Sequence, residues 1–246
     1  MPYRGKYDKD SLDSYKMSRS GIEGFVRCPR CFYLDRKLNI GPSGCAPYTL
    51  NNAVDYLLKQ EFDAHRAKGS KHPLLKKYGI DAVPFPHEKM NEWRENFKGV
   101  QFHHKKTNLY VTGAVDDVWV KPNGELIVAD YKATSKNDEV TLDADWQMSY
   151  KRQMEVYQWL LRMNGFKVSN TGYFVYCNGK KDRKAFDGRL DFEITVLPYK
   201  GSDKWIEKAL MDIKKLLHSD KLPKYTADCE DCEYQKDILA LAKANS

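Results

Sequence analysis

Apolar positions in this chain change their period twice, leaving helical ends around a strand-rich middle. Over residues 22–38, Phe25, Val26, Phe32, Tyr33 and Leu38 stand among Arg and Lys, a helical segment interrupted around Pro29. Gly41, Pro42, Gly44 and Pro47 end it. Leu50, Ala53, Val54, Leu57, Leu58 and Phe62 then recur at helical spacing, which predicts a long helix over residues 50–68, and a second helix is expected over 87–97. From residue 110 the period falls to two. Residues 110–121 are rich in Val with Tyr and Trp, Pro122-Asn123-Gly124 is a turn, and residues 125–131 again suit a strand, so a hairpin is expected. Residues 145–164 form a long helical pattern ended by Gly165, 171–177 and 190–197 read as strands, and 205–217 and 234–243 as closing helices. This order predicts an α/β fold, a central mixed sheet flanked by helices.

No repeat, low-complexity tract or Gly/Ser linker separates two domains, so one domain over residues 18–246 is expected, preceded by a loose polar arm over 1–17. A hydrophobic share of 41% and an aromatic share of 13% exclude wholesale disorder. No stretch approaches the roughly 18 apolar residues of a spanning helix, and the first residues lack an apolar signal segment, which points away from membranes and towards the cytoplasm. Lys and Arg number 41 against 34 Asp and Glu, a net charge of +7 that leans only slightly towards polyanions.

Residues 113–132 carry the densest candidate chemistry. Asp116 precedes a turn and Asp130-Tyr131-Lys132 ends the next strand, so the two carboxylates converge if the hairpin forms. Asp130 and Lys132, two apart, share a face; alternation turns Asp117 away. Paired carboxylates suit a hard cation such as Mg²⁺ or Mn²⁺, and a neighbouring ammonium orients water or stabilises charge on a phosphate. The same pattern also suits a solvated hairpin with cross-strand ion pairs.

Gly113, Asp116, Asp130, Tyr131, Lys132, Ala133 and Thr134 resemble the core motif of the PD-(D/E)XK nuclease superfamily, RecB-like branch. Gln153 and Tyr157, four apart on one helix face, resemble that branch's Q-x-x-x-Y motif. The resemblance implies a restriction-endonuclease-like core, a divalent metal on Asp116 and Asp130 completed by the Tyr131 carbonyl, Lys132 serving the attacking water, Gln153 positioning Lys132 or the phosphate, and Tyr157 lining the site. Where the branch carries a metal-binding His, this chain has Asp55, a candidate fourth ligand or a solvated residue beside Lys59 and Asp63. The implied activity is DNA phosphodiester hydrolysis, as exonucleolytic end processing in repair, recombination or CRISPR adaptation. A non-catalytic DNA- or partner-binding module of such a complex is the alternative. Single strands or duplex ends are the implied substrates.

Cys28-Pro-Arg-Cys31 and Cys229-Glu-Asp-Cys232 lie at opposite ends of the chain and together offer four thiolates, enough for one metal centre joining the two terminal segments. Resemblance to AddB-type and CRISPR-associated exonucleases implies a 4Fe–4S cluster, with zinc as the alternative. Cys177 fits a core strand, and Cys45 has no assignment. Three basic groups (Lys68, Lys71, Lys76 and Lys77; His103 to Lys106; Lys180, Lys181, Arg183 and Lys184) are candidates for a phosphate-backbone track, with Trp93, Tyr110 or Trp146 stacking bases.

Overall fold

The computed structural model describes residues 5–41 and 48–244; Cys45 lies outside them. In chain order the elements are β1 (Tyr15–Ser18), α1 (Arg19–Arg27), α2 (Pro29–Leu38), α3 (Thr49–Ala67), α4 (Pro73–Lys77), β2 (Val83–Pro84), α5 (Met90–Arg94), β3 (Val100–His104), β4 (Leu109–Gly113), β5 (Asp117–Val120), β6 (Leu126–Thr134), α6 (Met148–Met163), β7 (Thr171–Gly179), β8 (Phe192–Lys200), α7 (Ile206–His218) and α8 (Glu230–Ala244). The described residues fall into two compact units, one from residues 48–102 and 112–203, the other from residues 5–41, 103–111 and 204–244. Each unit is assembled from discontinuous stretches, so neither is flagged by a linker.

The larger unit is built on a mixed five-stranded sheet of order β2-β5-β6-β7-β8, with β6 antiparallel to β5 and parallel to β7, and β8 antiparallel to β7. Residues Leu126 to Tyr131 of β6 are all buried, as suits a central strand covered on both faces. On one face Leu58 and Phe62 of α3 pack against Trp119, Ile127, Ala129 and Tyr131, with the Phe62 and Trp119 rings stacked at 5.6 Å. Strand alternation sends Asp130 to the opposite face, where Gln153 of α6 meets it. The hairpin strand expected over 110–121 is broken into β4 and β5 by residues 114–116, which frees Asp116 from the ladder. The helix expected over 87–97 shrinks to the single turn of α5.

In the smaller unit, residues 5–17 of the stretch expected as a loose arm make defined contacts. Tyr7 is buried, its N–H donates to the Arg36 carbonyl at 2.7 Å, its ring meets Tyr15 edge-on at 5.0 Å, and β1 follows. Three apolar residues among polar ones, Tyr7, Tyr15 and Met17, suffice to anchor it. Pro29 separates α1 from α2 without ending helicity, because it occupies the first turn of α2, where a missing N–H costs nothing.

Candidate functional site

All residues of the acidic site belong to the larger unit. The register pairs Asp117 with Ala129, so Asp116 stands just before the strand, level with Asp130. Asp116 Oδ2 accepts the Tyr131 N–H at 2.8 Å, which ties the two carboxylate-bearing segments together. Asp130 is fully buried; its Oδ1 accepts Gln153 Nε2 at 2.9 Å, and it is ion-paired with Lys132. Gln153 Nε2 also lies 2.9 Å from the Tyr157 hydroxyl. Tyr157, expected to line the site, is buried behind Gln153 and fixes that amide from the rear. Lys132 Nζ lies 4.6 Å from the centre of the Tyr150 ring. Burial alone would lower the Lys132 pKa, but Asp130 and Asp116 outweigh it and hold the ammonium charged well above the usual lysine range.

From α3, Asp55 faces the same cleft. Lys59 Nζ bridges Asp55 Oδ2 at 2.7 Å and Asp116 Oδ1 at 3.5 Å, a cation in the site that spacing alone placed on the solvated helix face. Burial, then repulsion from Asp116, raises the Asp55 pKa despite Lys59. The cleft holds about 530 Å³, and Asp55, Asp116, Tyr131, Lys132, Tyr150 and Gln153 are among its walls. Asp55 and Asp116 thus line the cleft with Asp130 buried beneath it, and carboxylate oxygens are the donor type that hard cations prefer.

Behind the hairpin lies a second network that sequence reasoning missed. Asp117 is fully buried and accepts from Arg66 Nη2 at 2.5 Å, Arg94 Nη2 at 3.2 Å and the Tyr131 hydroxyl at 2.8 Å. Asp63 pairs with the same two guanidiniums, and burial of its carboxylate is outweighed by Arg94 and Arg66, which hold its pKa low. Arg94 Nε also donates to the Asp116 carbonyl at 3.0 Å. The network thus braces the backbone that carries Asp116. Its only sequence signal was the adjacent pair Asp116-Asp117, which alternation sends to opposite faces.

Gly113, at the start of the motif, has a packing reason. A Cβ there would meet Tyr157 Cε1 at 2.8 Å and Leu160 Cδ1 at 3.0 Å. Gly113→Ala should therefore push Tyr157 away and loosen Gln153, lowering thermal stability by about 1–3 kcal/mol. A melting curve superimposable on wild type would contradict this close approach.

Three cations of the proposed backbone track have acidic partners. Lys71 pairs with Asp81, Lys180 with Glu193, and Arg183 with Asp187 and Asp191. His104, expected on a surface patch, is buried between Thr107 Oγ1 at 2.7 Å and Glu207 Oε2 at 3.0 Å, while His103, Lys105 and Lys106 are exposed. Trp93 is buried too, stacked on His87 at 4.3 Å, because its helical turn faces inward. Trp146 is exposed, edge-on to Tyr150 at 5.3 Å and 5.4 Å from Lys136 Nζ.

In the smaller unit Cys28, Cys31, Cys229 and Cys232 come together, their sulfurs all within 4.8 Å of one another, so the four can hold a metal ion. Cys28 caps α2, where its sulfur accepts the Cys31 N–H at 3.4 Å, and Cys229 directly precedes α8. Helix N-termini favour thiolates. Burial opposes ionisation of Cys28, yet hydrogen bonds with Thr226, the Cys31 N–H and Cys232 push its pKa down to about 6. Cys177 is buried among β7 neighbours in the core, as its strand position implies.

No curated protein matches the chain. Among solved structures, the crystal structure of SSO0001 is similar at 19% identity and a TM-score of 0.29, over 52% of this chain and 50% of that one; the match thus spans half the length of that protein. The PD-(D/E)XK nuclease superfamily profile matches residues 42–236, from before α3 through the Asp130 strand and α6 into α8. The chain belongs to the PD-(D/E)XK nuclease superfamily.

Proposed function

We propose that the protein is a divalent-metal-dependent deoxyribonuclease that hydrolyses phosphodiester bonds at DNA ends. The observation that carries this reading is Asp116 and Lys132 lining one cleft with Asp130 buried directly beneath it, ion-paired with Lys132 and bonded to Gln153. Asp116, Asp130 and Asp55 would hold Mg²⁺ or Mn²⁺, with the Tyr131 carbonyl as a further donor. When bound, such an ion supplies Lewis acidity at the phosphate and lowers the pKa of water. Lys132 stabilises negative charge developing on the phosphoryl oxygens and orients the attacking water, while Gln153 and Tyr157 keep Asp130 from rotating. The Asp117 network holds Asp116 at its post.

Trp146 and Lys136 offer an unpaired base a ring to stack on and a phosphate a cation, which favours single-stranded ends as substrate. Trp146→Ala should raise KM for single-stranded DNA about tenfold with kcat nearly unchanged, since stacking is worth roughly 1–3 kcal/mol per base. Equal kinetics would remove Trp146 from the substrate path. End processing in repair, recombination or CRISPR adaptation, within a multiprotein complex, is the setting that fits such chemistry.

A DNA-binding module without catalysis is favoured by one observation, the Lys59 ammonium already bridging Asp55 and Asp116. Labelled single-stranded, duplex and closed circular DNA, each incubated with Mg²⁺, Mn²⁺ or EDTA, separates the two readings. Metal-dependent release of nucleotides from linear substrates is expected; DNA retained but uncut under every metal condition would establish the module.

Asp55→Asn should weaken the metal dependence of cleavage while melting in EDTA holds or rises. The folded protein raises the pKa of Asp55, so its charge is disfavoured by the fold; this penalty exists above that pKa and is relieved as pH falls through it. An unchanged metal titration would return Asp55 to the role of Lys59's partner.

A further inference from the structure

We infer that the four-cysteine site holds one tetrahedral zinc ion and not an iron–sulfur cluster. The discriminating quantity is the spacing of the sulfurs. Zinc bonds each thiolate at about 2.3 Å, so the edges of a tetrathiolate tetrahedron measure about 3.8 Å. Cys28 and Cys232 sulfurs stand 3.5 Å apart, Cys31 and Cys229 3.8 Å, and Cys31 and Cys232 3.7 Å. No separation among the four exceeds 4.8 Å. A cubane attaches each thiolate to a different iron and points it away from the cluster centre, which spreads the sulfurs to about 6 Å on every edge. Accommodating it would require all six separations to grow, and each cysteine pair is pinned to the start of a helix.

The surroundings oppose that expansion. Cys28 and Cys232 are fully buried, with Thr226 Oγ1 3.1 Å from the Cys28 sulfur. Gln235 Nε2 lies 3.9 Å from the Cys31 sulfur, and its Oε1 accepts Arg30 Nε at 3.4 Å. Arg30 is itself fixed, donating to the Pro223 carbonyl at 2.9 Å with its guanidinium 4.0 Å over the Tyr225 ring. This chain of contacts aims an amide N–H at one thiolate and encloses a small centre, the arrangement expected around a structural ion. The sulfurs are also too far apart for disulfides, whose bonds measure about 2.05 Å. Two ligands from each pair distribute the coordination evenly between α2 and α8, so the ion works as a redox-inert clasp within this unit.

The inference is independent of the nuclease reading and is tested on the intact wild-type chain. Protein purified anaerobically from cells supplied with both iron and zinc should carry zinc, lack acid-labile sulfide and show no absorbance band near about 400 nm. Apoprotein given ferrous iron and sulfide without oxygen should likewise stay colourless, whereas Co²⁺ should give the intense thiolate charge-transfer and d–d bands of a tetrahedral tetrathiolate site. Carboxylate-bound Co²⁺ in the acidic cleft lacks such bands, so the two sites are told apart. About four irons and four sulfides per chain with a brown chromophore would overturn the inference, as would metal-free protein in which all four thiols react freely while folded. Loss of cleavage without change in this spectrum would count against the nuclease reading alone.

Discussion

Asp130→Asn is expected to lower DNA cleavage by about 1,000-fold or more, and Lys132→Ala by roughly 100- to 1,000-fold, with both proteins still folded. Asp130 is fully buried beneath the cleft, and its oxygens face Gln153 and Lys132. Asn preserves its shape and one acceptor while removing the charge a hard cation requires. Melting in EDTA should change little, because neutralising Asp130 removes a repulsion with Asp116 even as it weakens the pair with Lys132. Near-wild-type cleavage by Asp130→Asn would contradict the proposed ligand set. Cleavage at the wild-type rate by Lys132→Ala would remove this ammonium from the chemistry.

The second large effect is on stability. Asp117→Ala is expected to cost about 3–5 kcal/mol, because it leaves two buried guanidiniums and a buried phenol without their shared acceptor. Arg66 and Arg94 side chains are only 10% and 9% exposed, so water cannot replace the carboxylate. The Tm should fall by roughly 10 °C or more in a chain of this length. Asp63→Ala removes a carboxylate that is 41% exposed and facing the same two arginines, and should cost far less. Comparable Tm losses for the two variants would refute the claim that the buried member carries the network. At temperatures where Asp117→Ala remains folded, its cleavage should still be reduced, since Arg94 also holds the Asp116 carbonyl.

These effects also show how far the sequence reached. Alternation puts Asp130 and Lys132 on one face of β6, and Asp117 of β5, paired with Ala129, belongs to the other, because period two is a backbone property. The Gln153 and Tyr157 spacing likewise transferred, since residues four apart on a helix share a face. What failed depended on long-range packing. Lys59 reads as a solvated lysine until α3 is laid over the end of the hairpin, and Trp93 and His104 read as surface residues until their partners His87 and Glu207 are known. The strands Val83–Pro84 and Val100–His104 were too short or too polar for the pattern to announce. The cysteine spacing announced a metal centre, but only the sulfur separations bear on which metal.

Calorimetric titration of Mn²⁺ into EDTA-stripped wild-type protein and into an Asp116→Ala, Asp130→Asn double variant, with cleavage followed in the same samples, tests the central claim most directly. The account predicts a Mn²⁺ site in the wild type whose occupancy tracks the cleavage rate, and loss of both in the variant while the melting curve is retained. Mn²⁺ binding and cleavage that survive unchanged in the double variant would contradict it.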